Sequence, residues 1–127
     1  MDHLVSAADF IRRTGWDPLL HGQNDCANWC ASLVEEVTGR DPAAGIRGTY
    51  ATAFECRQLL MREGGLLALS RRLMSWLPAG GEGDGVAVAR VRRTIVAGVL
   101  CEGRLWLKAE GGVVSPAEFD LLERWTL

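Results

Sequence analysis

Histidine is scarce in this chain: His3 and His21 are the only two among 127 residues. That scarcity limits any chemistry resting on an imidazole base. Long apolar runs are missing too, and nothing approaches the roughly 20 residues that cross a bilayer. The segment Met1 to Phe10 carries Asp2 and Asp9 and has no extended apolar core. It does not read as a signal peptide, so the protein is expected to stay where it is made unless a larger assembly carries it out. No basic stripe is present either. Arginines occur in scattered pairs such as Arg12-Arg13, Arg71-Arg72 and Arg92-Arg93, and the formal net charge is −2. A phosphate backbone has nothing to follow, and nucleic acid is not an expected partner.

What is present suits one ordinary domain spanning residues 1–127. Hydrophobic residues make up 48% and charged residues 24%, the usual proportions of a packed globular chain. A chain of this length can bury roughly two thirds of its unfolded surface, enough for a core without staples. The four cysteines are Cys26, Cys30, Cys56 and Cys101. Cys26 and Cys30 fall four apart on one helix face, a weak zinc spacing, and the other two form no second close pair. Free thiols are the expected state, with no metal and no cofactor. A metal site using Cys26, Cys30 and one more cysteine is the weaker alternative.

The first half of the chain reads as helical and the second half as strands. Ser6 to Arg13 forms a first helical segment with Phe10 and Ile11 as anchors. A loop punctuated by Gly15, Asp17-Pro18 and Gly22 follows. Asn24 or Asp25 caps the next helix, in which Ala27, Cys30, Ala31, Val34 and Val37 recur at helical spacing. Gly39 stops it. Thr52 and Glu55 match a capping box, opening a helix that Gly64-Gly65 closes. Leu66 to Leu77 reads as a helix ended by Pro78. Past the glycine-rich stretch that ends near Gly85 the period changes. Val86 to Val91, Thr94 to Leu100 and Arg104 to Lys108 read as strands, with a hairpin turn at Glu102-Gly103. Gly111-Gly112 turns into a short fourth segment, and Arg124 to Leu127 closes the sheet. The expected class is α+β: three helices ahead of an antiparallel sheet of four or five strands, with the helix that starts at Cys26 packed on that sheet.

Cys26 is the most informative position. It falls in the first turn of a helix, where the backbone dipole favours a thiolate. Taken on spacing alone, a cysteine there is more often a small core residue. Asp25 beside it reads as an N-cap or as a partner for Arg47. His21 precedes Cys26 by five residues and reads as a ring packed over the helix start. His3 lies near the N-terminus, where mobility is expected. Trp16, Trp29, Trp76, Trp106 and Trp125 follow no period and read as core and interface residues, not as a sugar platform.

The run Gly22-Gln23-Asn24-Asp25-Cys26, followed by Trp29, resembles the Gly-x-x-Asp-Cys helix start of NlpC-type papain-like cell-wall peptidases. Gly83-Asp84 resembles that family's Gly-Asp strand start, and Gly98 to Leu105 its following hairpin. Further pieces resemble a narrower family of small proteins encoded among the tail genes of phages, prophages and gene-transfer particles. These are Thr38 to Ala44, Arg47-Gly48-Thr49-Tyr50, Gly64-Gly65-Leu66, Glu110 to Val114, and Arg124-Trp125. In order they cover roughly Phe10 to Leu127.

The resemblance implies a papain-like fold with Cys26 at the nucleophile position. It also implies a histidine on the strand before the hairpin and a polar residue orienting it from the next strand. Laying the hairpins together puts Val96, or its neighbour Ile95, at the histidine position and Lys108 at the orienting one. Neither Val nor Ile accepts a proton, and a cysteine nucleophile without a base loses most of its activation. His21 as a substitute base, and Lys108 as an unusual one, are the reserves. The implied role is structural: a pseudoenzyme made in the host cytoplasm and built into the virion tail tip or baseplate, against tail hub or distal-tail proteins. The rival reading is a cysteine peptidase or amidase that cuts cell-wall peptidoglycan during infection.

Overall fold

A computed structural model describes residues 6–127. Four helices precede the sheet, not three: α1 (Ala7–Thr14), α2 (Cys26–Thr38), α3 (Ala53–Arg62) and α4 (Leu66–Leu73). Each of the first three is started by a side-chain cap. Ser6, Asp25 and Thr52 accept from the backbone N–H groups of Asp9, Asn28 and Glu55, which satisfies a donor that the first turn leaves free. Gly39, left-handed at φ 83°, closes α2. The α4 helix stops at Leu73, four residues short of the Leu77 expected from apolar spacing. The reason is local: the Trp76 indole donates to the Leu73 carbonyl at 2.9 Å. That bond takes one of the free C-terminal acceptors and turns the chain well before Pro78.

Five strands follow: β1 (Gly85–Val91), β2 (Thr94–Cys101), β3 (Arg104–Ala109), β4 (Gly112–Val114) and β5 (Asp120–Thr126). They form one antiparallel sheet in the order β4-β3-β2-β1-β5. The α+β class and the helix-then-strand order are those of the periodicity. The last strand begins at Asp120, earlier than the expected Arg124, because it pairs along nearly the whole of β1.

Pairing fixes which side chains share a face, since residues directly opposed in a ladder point the same way. Val88 opposes Ala97 and Val86 opposes Val99. These four pack with Phe10, Trp29, Cys30 and Leu33 into the main core under α1 and α2. The Phe10 and Trp29 rings lie 5.4 Å apart at its centre. Ala87, Ala89, Leu100 and Leu105 form a second cluster on the other face. Gly98 makes that cluster possible. A Cβ there would sit 2.6 Å from Leu105 Cδ1 and 2.8 Å from Leu107 Cδ2. Without one, both leucines lie across the strand and cover the sheet.

Candidate functional site

The buried polar or charged residues among those described are Asp25, Asn28 and Lys108, and all three gather at the start of α2. Burying such groups is costly unless hydrogen bonds replace water. Asp25 meets that demand with four donors. Its carboxylate accepts from the Gly22 N–H at 2.9 Å, the Asn28 N–H at 3.0 Å, the Asn28 amide at 3.2 Å and the Tyr50 hydroxyl. Burial first, and this bond second, push the Tyr50 hydroxyl well above its usual range. Gly22 must be glycine here. Its φ is +83°, and a Cβ would fall 1.9 Å from the Tyr50 carbonyl oxygen.

Asp25 is not the partner of Arg47. That guanidinium pairs with Asp41 at 2.8 Å and also donates to the carbonyls of Gln23 and Asn28 and to the Ser32 hydroxyl, each at 3.0 Å. Asp41 lies six residues from Arg47 in one loop, close enough to be reached without ordering the helix start further. One arginine thus ties the loop before α2, the helix itself and the loop after it. The motif Arg47 to Tyr50 resembles a tail-gene segment, but its spacing shows neither the role of Tyr50 nor the partner of Arg47. Polar residues beside glycines in a loop were the available signal, since loops must find partners for buried backbone.

Cys26 opens the helix as expected, but its surroundings favour the thiol. Sγ donates to the backbone oxygen of Lys108 at 3.0 Å. Burial, then the negative charge of Asp25, raise the Cys26 pKa to about 11, against a smaller lowering from the Lys108 backbone contact. Desolvation of the charged form therefore outweighs the helix dipole. Cys30, one turn on, is in the core, and burial raises its pKa too. All four cysteines are free, and no three His, Cys, Asp or Glu residues among those described come together as ligands.

Lys108 reaches the site with its backbone, not with its ammonium. Nζ is buried and donates to the carbonyls of Gly15 at 3.0 Å, Ala109 at 3.1 Å and Gly112 at 3.2 Å. Three donors meet three acceptors, so the ammonium is fully engaged. Gly15 is the C-cap of α1, and the cation meets the negative end of that helix.

Val96 falls on the other face of the sheet. It opposes Ala89 of the second cluster, whereas Ala97 opposes Val88 and faces α2. The β2–β3 register pairs Val99 with Trp106. That ladder runs from Cys101 with Arg104 to Val99 with Trp106 and stops short of Ala97. The β2 residue that shares the core under α2 at this level is Ala97, a methyl group. Ile95 shares the parity of Ala97 but lies at the exposed strand start. His21 is half-buried beside Gly22, and no hydrogen bond joins it to Cys26. His3 lies outside the described residues.

The chain belongs to the family described as a domain of unknown function, DUF6950, whose model matches residues 3–126. No curated protein and no solved structure matches it. No helix among the described residues is long and apolar enough to cross a membrane.

Proposed function

We propose that this protein is a structural or assembly component of a phage tail tip, built on an NlpC-type papain-like fold whose peptidase site is degenerate. The observation that carries the second half of this reading is the state of Cys26. Its thiol is a hydrogen-bond donor to Lys108 O, its pKa is raised to about 11, and the β2 residue that faces α2 is Ala97, not a base. Acyl transfer from such a thiol lacks both a base to form the thiolate and an acid for the leaving amine. The first half rests on the tail-gene resemblance of Arg47 to Tyr50, Glu110 to Val114 and their companions. In the structure those residues hold the domain's own loops: Arg47 and Tyr50 bind the start of α2, and Gly112 receives Lys108. Tail hub or distal-tail proteins are the proposed partners and the virion tail tip the proposed location.

The test has two arms. Purified protein incubated with peptidoglycan should release no peptides beyond those of a Cys26→Ala variant. Cleavage that depends on Cys26 would restore the peptidase or amidase reading. Mass spectrometry of purified particles should find this chain among the tail proteins, and its repeated absence counts against a virion role.

A further inference from the structure

The α3 helix carries large apolar residues on its outer face as well as its inner one. Of its ten residues only Leu59 is buried, and Cys56, Leu60 and the following Glu63 flank it. At 3.6 residues per turn, the centre of the opposite face is held by Phe54 and Met61, seven apart. Phe54 is 61% exposed and Met61 83%. An ordinary surface helix carries its charges there and turns its large apolar residues inward. Arg57 stands on one side of this pair, and Gln58 and Arg62 on the other. Neither Arg57 nor Arg62 has an ion-pair partner among the described residues, because the nearby acids are engaged elsewhere. Glu63 holds Arg72, and Glu55 accepts from the Ala51 N–H. Both ends of the helix are defined locally. Thr52 caps it, with the Glu55 N–H donating to the Thr52 hydroxyl at 3.1 Å, and the Glu55 carboxylate reaches back to the Ala51 N–H. Gly64 and Gly65, both at positive φ, end it.

We infer that α3 is a docking helix, inserting Phe54 and Met61 into an apolar groove with an acidic rim on a partner protein. Two apolar anchors one heptad apart on a short helix are the pattern of helix-in-groove recognition. The two unpaired arginines flanking them set the sign of the rim, since a like-charged groove would be repelled. The proposal deepens the tail-tip reading by naming the chemistry of the partner surface, and it rests on that reading for the partner's identity.

The experiment places a photo-crosslinking phenylalanine at position 61 in cells that produce the protein, with the same residue at exposed position 92 as the control. The expected result is one crosslinked protein species from position 61 and none from 92. That species should fall at least tenfold in an Arg57→Glu/Arg62→Glu background and vanish with Phe54→Ser. Circular dichroism and melting temperature of Phe54→Ser should match the parent, because the side chain is exposed. A crosslinked tail protein supports both proposals. A crosslinked protein outside the particle, with the same charge dependence, supports the docking helix and sinks the tail-tip reading. No crosslink from 61, a product to lipid or to a second copy of this chain, or a yield indifferent to charge reversal, overturns the docking helix. Detection of the chain in particles then leaves the tail-tip reading standing.

Discussion

Cys26 and Lys108, 82 positions apart in the chain, meet through the lysine's backbone: the thiol donates to its carbonyl oxygen at 3.0 Å while the ammonium of that lysine turns to three other carbonyls. A residue placed where a catalytic polar group is expected thus spends its charge on holding α1 to the β3–β4 hairpin. The thiol is left with an acceptor and no base.

Thiol reactivity reads this arrangement directly. With its pKa raised to about 11, Cys26 should carry about three-hundredfold less thiolate at pH 7.5 than an ordinary thiol of pKa about 8.5, and should react correspondingly slowly with a small disulfide reagent. The rate should climb until about pH 11. The charge of Asp25 is one cause of the raised value, so Asp25→Asn should move the rise to lower pH. A Cys26 rate that levels off below pH 8 would contradict the assignment.

Stability should depend on alkaline pH in the corresponding sense. A raised folded-state pKa means that the folded form holds its proton more tightly than the unfolded chain. The stabilisation is fully present below the unfolded thiol value, near 8.5, and is lost as pH rises towards about 11. Denaturant midpoints at pH 8 and pH 10.5 should therefore differ, and the difference should shrink in Cys26→Ala. An equal loss in both proteins would assign the effect to the other buried thiols and Tyr50.

Lys108→Met should destabilise the fold by about 3 kcal/mol, because three buried carbonyls lose their donor at once. In a domain of this size that lowers the melting temperature by about 10 °C. A change below about 1 kcal/mol would mean that water replaces the ammonium at Gly15, Ala109 and Gly112.

Where a histidine is placed on β2 should matter by parity. Val96→His sends the new imidazole to the Ala89 face, away from α2, and should leave the Cys26 pH profile unchanged. Ala97→His puts it on the face that packs under α2, and should shift the profile to lower pH. The opposite ranking of the two variants would show that the strand register places Val96 beside the thiol.

Gly22→Ala should be among the most damaging single-methyl changes in the chain. The added Cβ meets the Tyr50 carbonyl at 1.9 Å, and the backbone at φ +83° resists any L side chain. Loss of the Asp25 cap follows, and the melting temperature should drop by more than 10 °C. A near-neutral result would mean that the Tyr50 loop is free to withdraw.

Much of the fold was readable because it is written locally. Asp25 as a cap, Gly39 as a stop, Thr52 with Glu55, and the Glu102-Gly103 turn are short-range signals, and each fell where the structure has it. The α4 end was misjudged because it is set by the Trp76 indole reaching a carbonyl, which apolar spacing does not encode. At the site, Cys26 at the helix start was readable, but its hydrogen bond to Lys108 O spans 82 positions and depends on strand register. Val96 and Ala97 differ by one residue, and only pairing decides which faces the helix. The Arg47–Asp41 pair was hidden because several acids compete for one arginine in loops without periodicity.

The strand order carries a consequence for how the chain is made. Both long neighbours of β1 lie downstream of it: β2 starts after two residues, but β5 is the last strand to be synthesised. While residues 92–119 emerge from the ribosome, β1 presents one unpaired apolar edge, Val86 to Val88, that nothing yet covers. Until β5 pairs with it, that edge is a template for another chain. Losing Asp120–Thr126 would return the finished chain to that same exposed state.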